Sequence, residues 1–112
     1  MLIRDREHVV VVEGATAAGT GTAGRSGVVA CGTLVIEHKF IHGGMCVGHI
    51  EDVVVDASAR GQGLGRRLLL KLVDAARAAG CYKAILNCKE ENKGFYERCG
   101  FAPKELSMAC YF

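Results

Sequence analysis

The stretch RGQGLG, residues 60–65, decides the fold of this chain, because a strand-like segment precedes it and a helical one follows. The preceding segment GHIEDVVV, residues 48–55, is rich in β-branched residues and reads as a strand. Between a strand and a helix, glycines let a ligand approach the backbone, and the first N–H groups of the helix have no partner within it. The stretch therefore predicts an anion-binding turn.

Two well-known nucleotide motifs do not fit this turn. A dinucleotide fingerprint requires a third glycine at position 66, where this chain has Arg66. A P-loop requires lysine and then serine or threonine after its last glycine, whereas here two arginines, Arg66 and Arg67, follow Gly65. The turn is therefore expected to bind an anion of another kind.

The residues after the turn predict an amphipathic helix over Gly63–Ala79. Leu64, Leu68, Leu72 and Ala76 recur at a spacing of four and form one apolar stripe. The helix ends before Gly80, a residue that favours the end of a helix.

The other segments alternate between strand and helix patterns and predict an α/β fold. A glycine-, alanine- and threonine-rich stretch at 14–27 is expected to be a flexible hairpin loop. The run of valines at 53–55 is expected to be buried on both sides. In a regular strand, Glu51 and Asp52 would point to opposite faces, so one carboxylate would point inward. The predicted strands are His8–Glu13, Val28–Ile36, Val47–Val55, Tyr82–Cys88 and Leu106–Phe112, and a short helix is predicted over Asn92–Cys99.

Composition limits the classes of function. The chain has 112 residues, half of them hydrophobic, which suggests a single domain with a packed core. A net charge of +2 without a lysine/arginine run gives no argument for nucleic acid. The N-terminus lacks the apolar stretch of a signal peptide, and no apolar run approaches the ~20 residues of a membrane span. We expect a cytoplasmic protein without membrane partners.

The six cysteines predict neither a metal site nor a disulfide framework. No pair has C-x-x-C spacing, and no cysteine/histidine set has zinc-finger spacing. His42, Cys46 and His49 are close in sequence but have no recognised ligand spacing. We expect free thiols in a reducing compartment, several of them buried, and no metal.

The glycine turn resembles the acetyl-CoA loop, R/Q-x-x-G-x-G/A, of the GNAT superfamily of N-acetyltransferases. Five segments in this order resemble the glucosamine 6-phosphate N-acetyltransferase family of that superfamily, and the match covers 28–101. These segments are HKFIH (38–42), GHIEDVVV (48–55), RGQGLGR (60–66), GCYKAILNC (80–88) and NKGFYERCGF (92–101). The resemblance implies a GNAT-type layered sandwich with a mixed, mostly antiparallel sheet and flanking helices. It also implies one domain over 1–112 that lacks the family's first strand and two helices, which help to form the acceptor pocket.

The resemblance implies an enzyme that transfers acetyl from acetyl-CoA to the amine of glucosamine 6-phosphate, a step toward UDP-N-acetylglucosamine. Transfer would be direct, within a ternary complex, and the enzyme would be a homodimer whose contact includes Leu106–Phe112. Two alternatives stay open. One is a GNAT enzyme for another amine, such as a peptide or polyamine, and the other is a noncatalytic acyl-CoA-binding remnant.

The resemblance also assigns residues to the acetyl-CoA site. Backbone N–H groups of the glycine turn would face the pyrophosphate, and Arg60 or Arg66 would add charge. Asn92 would lie near the CoA chain, and the strand at 52–55, bulged and splayed in the family, would offer an oxyanion donor. The expected acetyl-CoA-binding residues are Val53, Val54, Val55, Arg60, Gly61, Gln62, Gly63, Leu64, Gly65, Arg66, Asn92 and Phe95.

For catalysis, the resemblance implies that Tyr96 protonates the leaving thiolate. Where the family carries an acidic residue followed by cysteine, this chain has Asn87-Cys88. Glu51 or Asp52, acting through water, is then the candidate base, unless the amine enters already neutral. The C-terminal SMACYF lacks the family's arginine near the sugar phosphate, so positive charge must come from Lys39, His42, Lys89 or Lys93. The expected acceptor-binding residues are Lys39, His42, Glu51, Asp52, Asn87 and Cys88.

Overall fold

A computed structural model describes residues 7–15, 26–39, 43, 45–61 and 63–112, with side chains from Val29 onward. It contains four strands and two α-helices, and single turns of 3₁₀-helix precede both helices. The strands are β1 (Glu7–Ala15), β2 (Ser26–His38), β3 (Cys46–Val55) and β4 (Cys81–Ile85); the 3₁₀ turns are Ala57–Ala59 and Glu90–Asn92; the helices are α1 (Leu64–Ala78) and α2 (Lys93–Arg98).

The strands form one mixed sheet in the order β1-β2-β3-β4. The pairings of β1 with β2 and of β2 with β3 are antiparallel. Strands β3 and β4 are parallel, and α1 connects them along the chain. The expected fold class, a mixed and mostly antiparallel sheet with flanking helices, is therefore confirmed. Most of the predicted hairpin loop, residues 16–25, lies outside the described residues.

Helix α1 buries the predicted leucine stripe against one face of the sheet. Leu68, Leu69 and Leu72 are fully buried, together with Leu34 of β2. Two glycines on the facing strands let the helix approach closely. A Cβ built at Gly32 would lie 2.8 Å from the Leu72 side chain, and one at Gly48 would lie 2.9 Å from Ala76 Cβ. The absence of a side chain at these two strand positions thus leaves room for the helix.

Strands β3 and β4 pair for a short distance and then part. The last paired residues are His49 and Ile85, and β4 ends there. The prediction that this strand continues to Cys88 was wrong, because a strand needs a neighbour and β3 has turned away. The remaining half of β3, up to Val55, pairs only with β2. A gap therefore opens between the end of β3 and the segment after β4.

A β-bulge accompanies this parting. Two steps along β2, from Cys31 to Thr33, correspond to three along β3, from Val54 to Glu51. Asp52 has φ +54°, the left-handed region that non-glycine residues seldom adopt. The bulge that the resemblance implies for this strand is therefore present.

The bulge corrects two expectations about β3. The carboxylates do not divide between inside and outside, since the extra residue breaks the alternation and both Glu51 and Asp52 are exposed. The valine run is not buried on both sides either. Val53 and Val55 pack against the core, but Val54 is 57% exposed, because no described element covers its face of the sheet.

The predicted strand at Leu106–Phe112 was wrong as well. The chain from Phe101 to Phe112 has no regular secondary structure. Leu106, Met108 and Tyr111 are each at least 90% exposed, because none of the described strands and helices lies beside them. The large apolar side chains of this C-terminal tail are thus exposed. Within the described ranges, no helix is long and apolar enough to span a membrane.

Candidate acetyl-CoA site

An open cleft of about 210 Å³ lies at the end of β3, against the start of α1. It gathers one strand end, the glycine turn, the first turn of α1 and one aromatic residue of α2. The lining residues are Val55, Ala59, Arg60, Gly61, Gly63, Leu64, Gly65, Arg66 and Phe95. Eight of the twelve residues predicted to bind acetyl-CoA therefore line one cleft. Val53, Val54 and Asn92 are not among the lining residues, and Gln62 lies outside the described residues.

The backbone of the glycine turn requires glycine at two positions. Gly61 has φ +84° and Gly63 has φ +72°, and a Cβ at either position would meet no heavy atom within 4 Å. Nothing in the packing excludes a side chain there, so the backbone conformation and open access are what glycine provides. A ligand can therefore approach this backbone more closely than it could approach a residue with a Cβ.

The start of α1 presents unpaired donors to the cleft. The first helical bond runs from Arg67 N to Gly63 O at 3.1 Å, and no side chain caps the helix. Within the described chain, the N–H groups of residues 63–66 therefore have no backbone acceptor. Unpaired amides at the positive end of a 15-residue helix suit an anion.

The charges around the turn point to the same ligand class. The first turn of α1 contains Arg66 and Arg67 and no acidic residue. Cations at this end oppose the helix dipole, so the arrangement lowers helix stability when no anion is bound. Arg60 is also exposed, and its Nε donates to Val55 O at 3.4 Å. No carboxylate is among the described lining residues.

Asp56, which the sequence analysis missed, anchors the turn between β3 and the glycine residues. Its carboxylate accepts hydrogen bonds from the Ser58 hydroxyl and from Ser58 N, the latter at 3.3 Å. These hydrogen bonds, the hydroxyl's first, lower the pKa of the Asp56 carboxyl. Asp56 N also donates to Val29 O at 2.6 Å. The Asp-x-Ser sequence is a signature of such side-chain turns and could have revealed it.

Gly65 sets the distance between α1, β3 and α2. A Cβ built there would lie 3.4 Å from both Phe95 Cζ and Val55 Cγ2. Its small size therefore lets the helix start, the strand end and the Phe95 ring meet around the cleft. Asn92 is exposed and ends the 3₁₀ turn just before α2, rather than lying within the helix as predicted.

Tyr96 lies one residue beyond Phe95, at the edge of the core. Its ring packs edge-to-face with Phe95 at 5.1 Å and with Phe101 at 6.2 Å between centroids. Burial raises the pKa of the Tyr96 phenol, and the neighbouring thiols Cys88 and Cys99 raise it further. Its hydroxyl makes no hydrogen bond to any described residue. Tyr96 thus keeps its proton at neutral pH and can give it to an incoming group.

The predicted acceptor residues fall into two groups. Asn87 and Cys88 follow β4 and are exposed beside the gap, and Lys89 and Lys93 follow them. Lys39 lies at the other end of the β2–β3 hairpin, nine residues past Ala30, which pairs with Val55. At ~3.3 Å per residue, that is about 30 Å from the cleft.

Lys39 is also engaged at that far end. Its Nζ lies 2.5 Å from Glu37 Oε1, and His49 Nε2 lies 3.2 Å from the same oxygen. The hydrogen bond to Glu37 raises the pKa of Lys39. In a single copy of the chain, Lys39 is therefore far from the glycine turn. His42 lies outside the described residues.

Comparison with known proteins supports the class that this fold and cleft suggest. The model of the acetyltransferase (GNAT) family matches residues 2–101. The chain therefore belongs to the GNAT family.

Within that family, the chain is similar to enzymes that act on an amino-sugar phosphate. It is 49% identical over 106 residues to glucosamine 6-phosphate N-acetyltransferase 1 of Oryza sativa subsp. japonica, covering 95% of this chain and 60% of that protein. It is 37% identical to the enzyme of that name from Schizosaccharomyces pombe, covering 75% of this chain and 76% of that protein. The crystal structure of glucosamine-6-phosphate N-acetyltransferase from Arabidopsis thaliana matches with a TM-score of 0.82 and 42% identity, over 96% of this chain and 68% of that one. The chain spans about 60% of the length of the rice relatives it matches.

Proposed function

We propose that this chain transfers an acetyl group from acetyl-CoA to the amine of glucosamine 6-phosphate. The cleft carries the proposal, because it combines unpaired amides, two arginines and a parted strand pair in one place. These features fit a ligand with a diphosphate and a narrow chain that ends in a reactive group. The identity to glucosamine 6-phosphate N-acetyltransferases supports the choice of acceptor.

The glycine turn would hold the diphosphate of acetyl-CoA. Its oxygens would accept hydrogen bonds from the amides of residues 63–66, and Arg60 and Arg66 would add positive charge. From there, the chain of acetyl-CoA would enter the gap between the end of β3 and the segment after β4. Tyr96, whose ring packs against the lining residue Phe95, would then lie near its reactive end. The thioester would lie in this gap, where β3 has backbone groups without a β4 partner.

Acetyl transfer needs stabilisation of negative charge on the thioester oxygen. An N–H in the segment Asp52–Val55, which is free on the β4 side, is suited to donate to that oxygen. Attack forms the new C–N bond, and the C–S bond then breaks. The departing thiolate would take a proton from the Tyr96 hydroxyl. A phenol is protonated at neutral pH, and burial raises the pKa of Tyr96 further.

The attacking amine must lose protons on the way to the amide. Glu51 and Asp52 are exposed at the bulge, and either carboxylate could accept a proton through water. Asn87 can hydrogen-bond a sugar hydroxyl but cannot act as a base. Lys89 and Lys93, which follow it in the chain, would supply positive charge for the phosphate of the acceptor.

A panel of amines tests this function. Catalytic amounts of protein are incubated with acetyl-CoA and glucosamine 6-phosphate, glucosamine, a polyamine or a peptide, and the acetylated product is measured by mass spectrometry. Product detection is preferable to thiol dyes, because the chain's own six cysteines react with such dyes. We expect turnover with glucosamine 6-phosphate and much less with glucosamine.

Each other outcome of this panel has a definite meaning. Turnover with a polyamine or peptide alone would identify a GNAT enzyme for another amine. Acetyl-CoA binding without any turnover would identify a noncatalytic acyl-CoA-binding protein. Either result would refute the proposed acceptor.

A homodimer in the cytoplasm completes the proposal. The tail Leu106–Phe112 exposes four large apolar side chains that no described part of this chain covers. An extended apolar segment of this kind is suited to lie against a second copy, since exposed apolar surface favours association. Sedimentation at micromolar concentration measures this directly.

A further inference from the structure

Cys46 and Cys81 form a thiol pair at the end of the sheet opposite the cleft. Cys46 begins β3, Cys81 begins β4, and their Cα atoms are register partners. The two Sγ atoms are 3.2 Å apart, and Cys46 Sγ also lies 3.5 Å from Ala79 O. All six cysteines lie in the described residues and are free, and only this pair brings two sulfurs into contact.

The geometry of this pair suits a covalent bond. Adjacent strands lie ~4.8 Å apart, which is within the range of about 4.4–6.8 Å between Cα atoms that a disulfide bridges. A disulfide has an S–S length of ~2.05 Å, so the sulfurs need to approach by only about an ångström. Parallel partners send their side chains to the same face of the sheet, and the contact between the two sulfurs is consistent with this. Side-chain rotation alone can therefore supply most of the approach.

We infer that Cys46 and Cys81 are a redox modification site, at which a low-molecular-weight disulfide such as oxidised glutathione converts the thiol pair into a cross-strand disulfide. This inference is independent of the acetyl acceptor. It gives these two residues a chemistry that the cleft does not use.

The route follows from the exposure of the two thiols. Cys46 is only 4% exposed, whereas Cys81 is partly exposed and is the one that an outside molecule can reach. The Cys81 thiolate attacks oxidised glutathione, forms a mixed disulfide and releases one glutathione. Cys46 then attacks the sulfur of Cys81 and releases the second glutathione. Two protein thiols are oxidised, and one glutathione disulfide is reduced to two thiols.

The first step is slow at neutral pH. Burial, and then the hydrogen bond with Cys46, raise the pKa of the Cys81 thiol to about 11, so little thiolate is present. The second step is fast in comparison, because the two sulfurs are already in contact. A mixed disulfide at Cys81 therefore resolves into the Cys46–Cys81 bond rather than accumulating.

The bond would close a ring around the functional half of the molecule. Residues 46–81 comprise β3, the glycine turn and α1, so both ends of the acetyl-CoA-binding unit would be tied together. Linking residues so far apart removes disorder from the unfolded chain. For a ring of this size, we expect the melting temperature to rise by roughly 10–20 °C.

The test uses the full, reduced chain. It is incubated with oxidised glutathione, its free thiols are alkylated, and non-reduced peptides are mapped by mass spectrometry. We expect a linked Cys46–Cys81 peptide pair, reversal by dithiothreitol, and a melting temperature that rises on oxidation. Alkylation of both Cys46 and Cys81 in protein whose exposed Cys88 and Cys110 carry glutathione would overturn the inference.

Two variants separate the specific bond from general oxidation. Cys81→Ser removes the accessible thiol, and Cys110→Ser removes an exposed thiol outside the pair. Oxidation should raise the melting temperature of Cys110→Ser and leave that of Cys81→Ser unchanged. An equal rise in both variants would contradict the proposed bond, and if Cys81→Ser does not fold, the peptide map of the parent chain decides the question alone.

Discussion

The anion site at the glycine turn can be tested by placing the same side chain at two glycines. Gly63 is the N-cap residue just before α1 and has φ +72°, and Gly80 follows the end of α1 with φ +88°. A Cβ at either position would meet no heavy atom within 4 Å. Gly63→Val and Gly80→Val therefore impose the same kind of backbone strain at opposite ends of one helix, and only Gly63 lines the cleft.

The structure predicts similar losses of stability in the two variants. A left-handed conformation costs a residue with a Cβ roughly 1–2 kcal/mol, and more for a β-branched one. Each variant should then melt about 5–15 °C below the parent. Both variants should still fold, because a Cβ at either position meets no heavy atom within 4 Å.

Their affinities for acetyl-CoA should differ. The valine at 63 occupies the space through which a phosphate oxygen reaches the amides of residues 63–66. Loss of one hydrogen bond to a charged group costs about 1.5–3 kcal/mol, which corresponds to roughly a 10- to 150-fold rise in Kd. Gly80→Val should bind as the parent does, since it is at the far end of the helix.

Isothermal titration calorimetry measures the two Kd values, and thermal unfolding measures the two stabilities. Equal Kd values for Gly63→Val and Gly80→Val would refute the placement of the diphosphate. A large loss of affinity in both variants would instead attribute the effect to general loss of structure.

Three further predictions address the acid, the dimer and the thiol pair. Tyr96→Phe removes a hydroxyl that makes no described hydrogen bond, so stability and acetyl-CoA affinity should be unchanged while kcat falls about 10²- to 10⁴-fold. Tyr111→Phe is the control. An unchanged kcat in Tyr96→Phe would mean that Tyr96 serves only in packing. Leu106→Lys, at a side chain that is 92% exposed, should shift sedimentation from dimer to monomer more than Ser107→Lys does, and a parent chain that is already monomeric would contradict the dimer. The folded pKa of Cys81 is raised from 9.0 to about 11, so the unfolded chain loses this proton first, and stability should fall as pH rises from about 9 to 11. Cys81→Ala should lessen that fall, and an equal fall in the variant and the parent would contradict the assignment.

The elements that the sequence predicted well are those whose signals are local. The leucine stripe of α1 and the glycine that follows it predicted the helix to within one residue at each end. The valine-rich runs predicted β1, β2 and β3. Each predicted end lies within two residues of the observed end. Periodicity and turn residues act within one segment, so they can be read from the sequence without knowing which segments become neighbours.

The elements that were predicted wrongly depend on neighbours. Residues 86–88 have the composition of a strand, but β3 has turned away and offers no partner. Leu106–Phe112 is also rich in apolar residues, yet no strand or helix in the described ranges lies beside it. A strand is completed by hydrogen bonds to another segment, and a pattern within one segment cannot say whether that partner exists. The same reasoning explains Val54, whose exposure depends on what covers the other face of the sheet.

The candidate site lies where this chain departs from what favours stability alone. Asp52 has a left-handed backbone that costs a non-glycine residue roughly 1–2 kcal/mol. Arg66 and Arg67 sit at the positive end of α1, and the amides beside them have no described backbone partner. All three departures occur within about fifteen residues, around the place where β3 and β4 part. Each has a use if an acetyl-CoA molecule lies there: the bulge turns the strand away, the amides bind its diphosphate, and the arginines lose their repulsion when the anion arrives. The fully buried leucines of α1, packed against Leu34, stabilise the helix. Their burial offsets the free energy lost at its first turn.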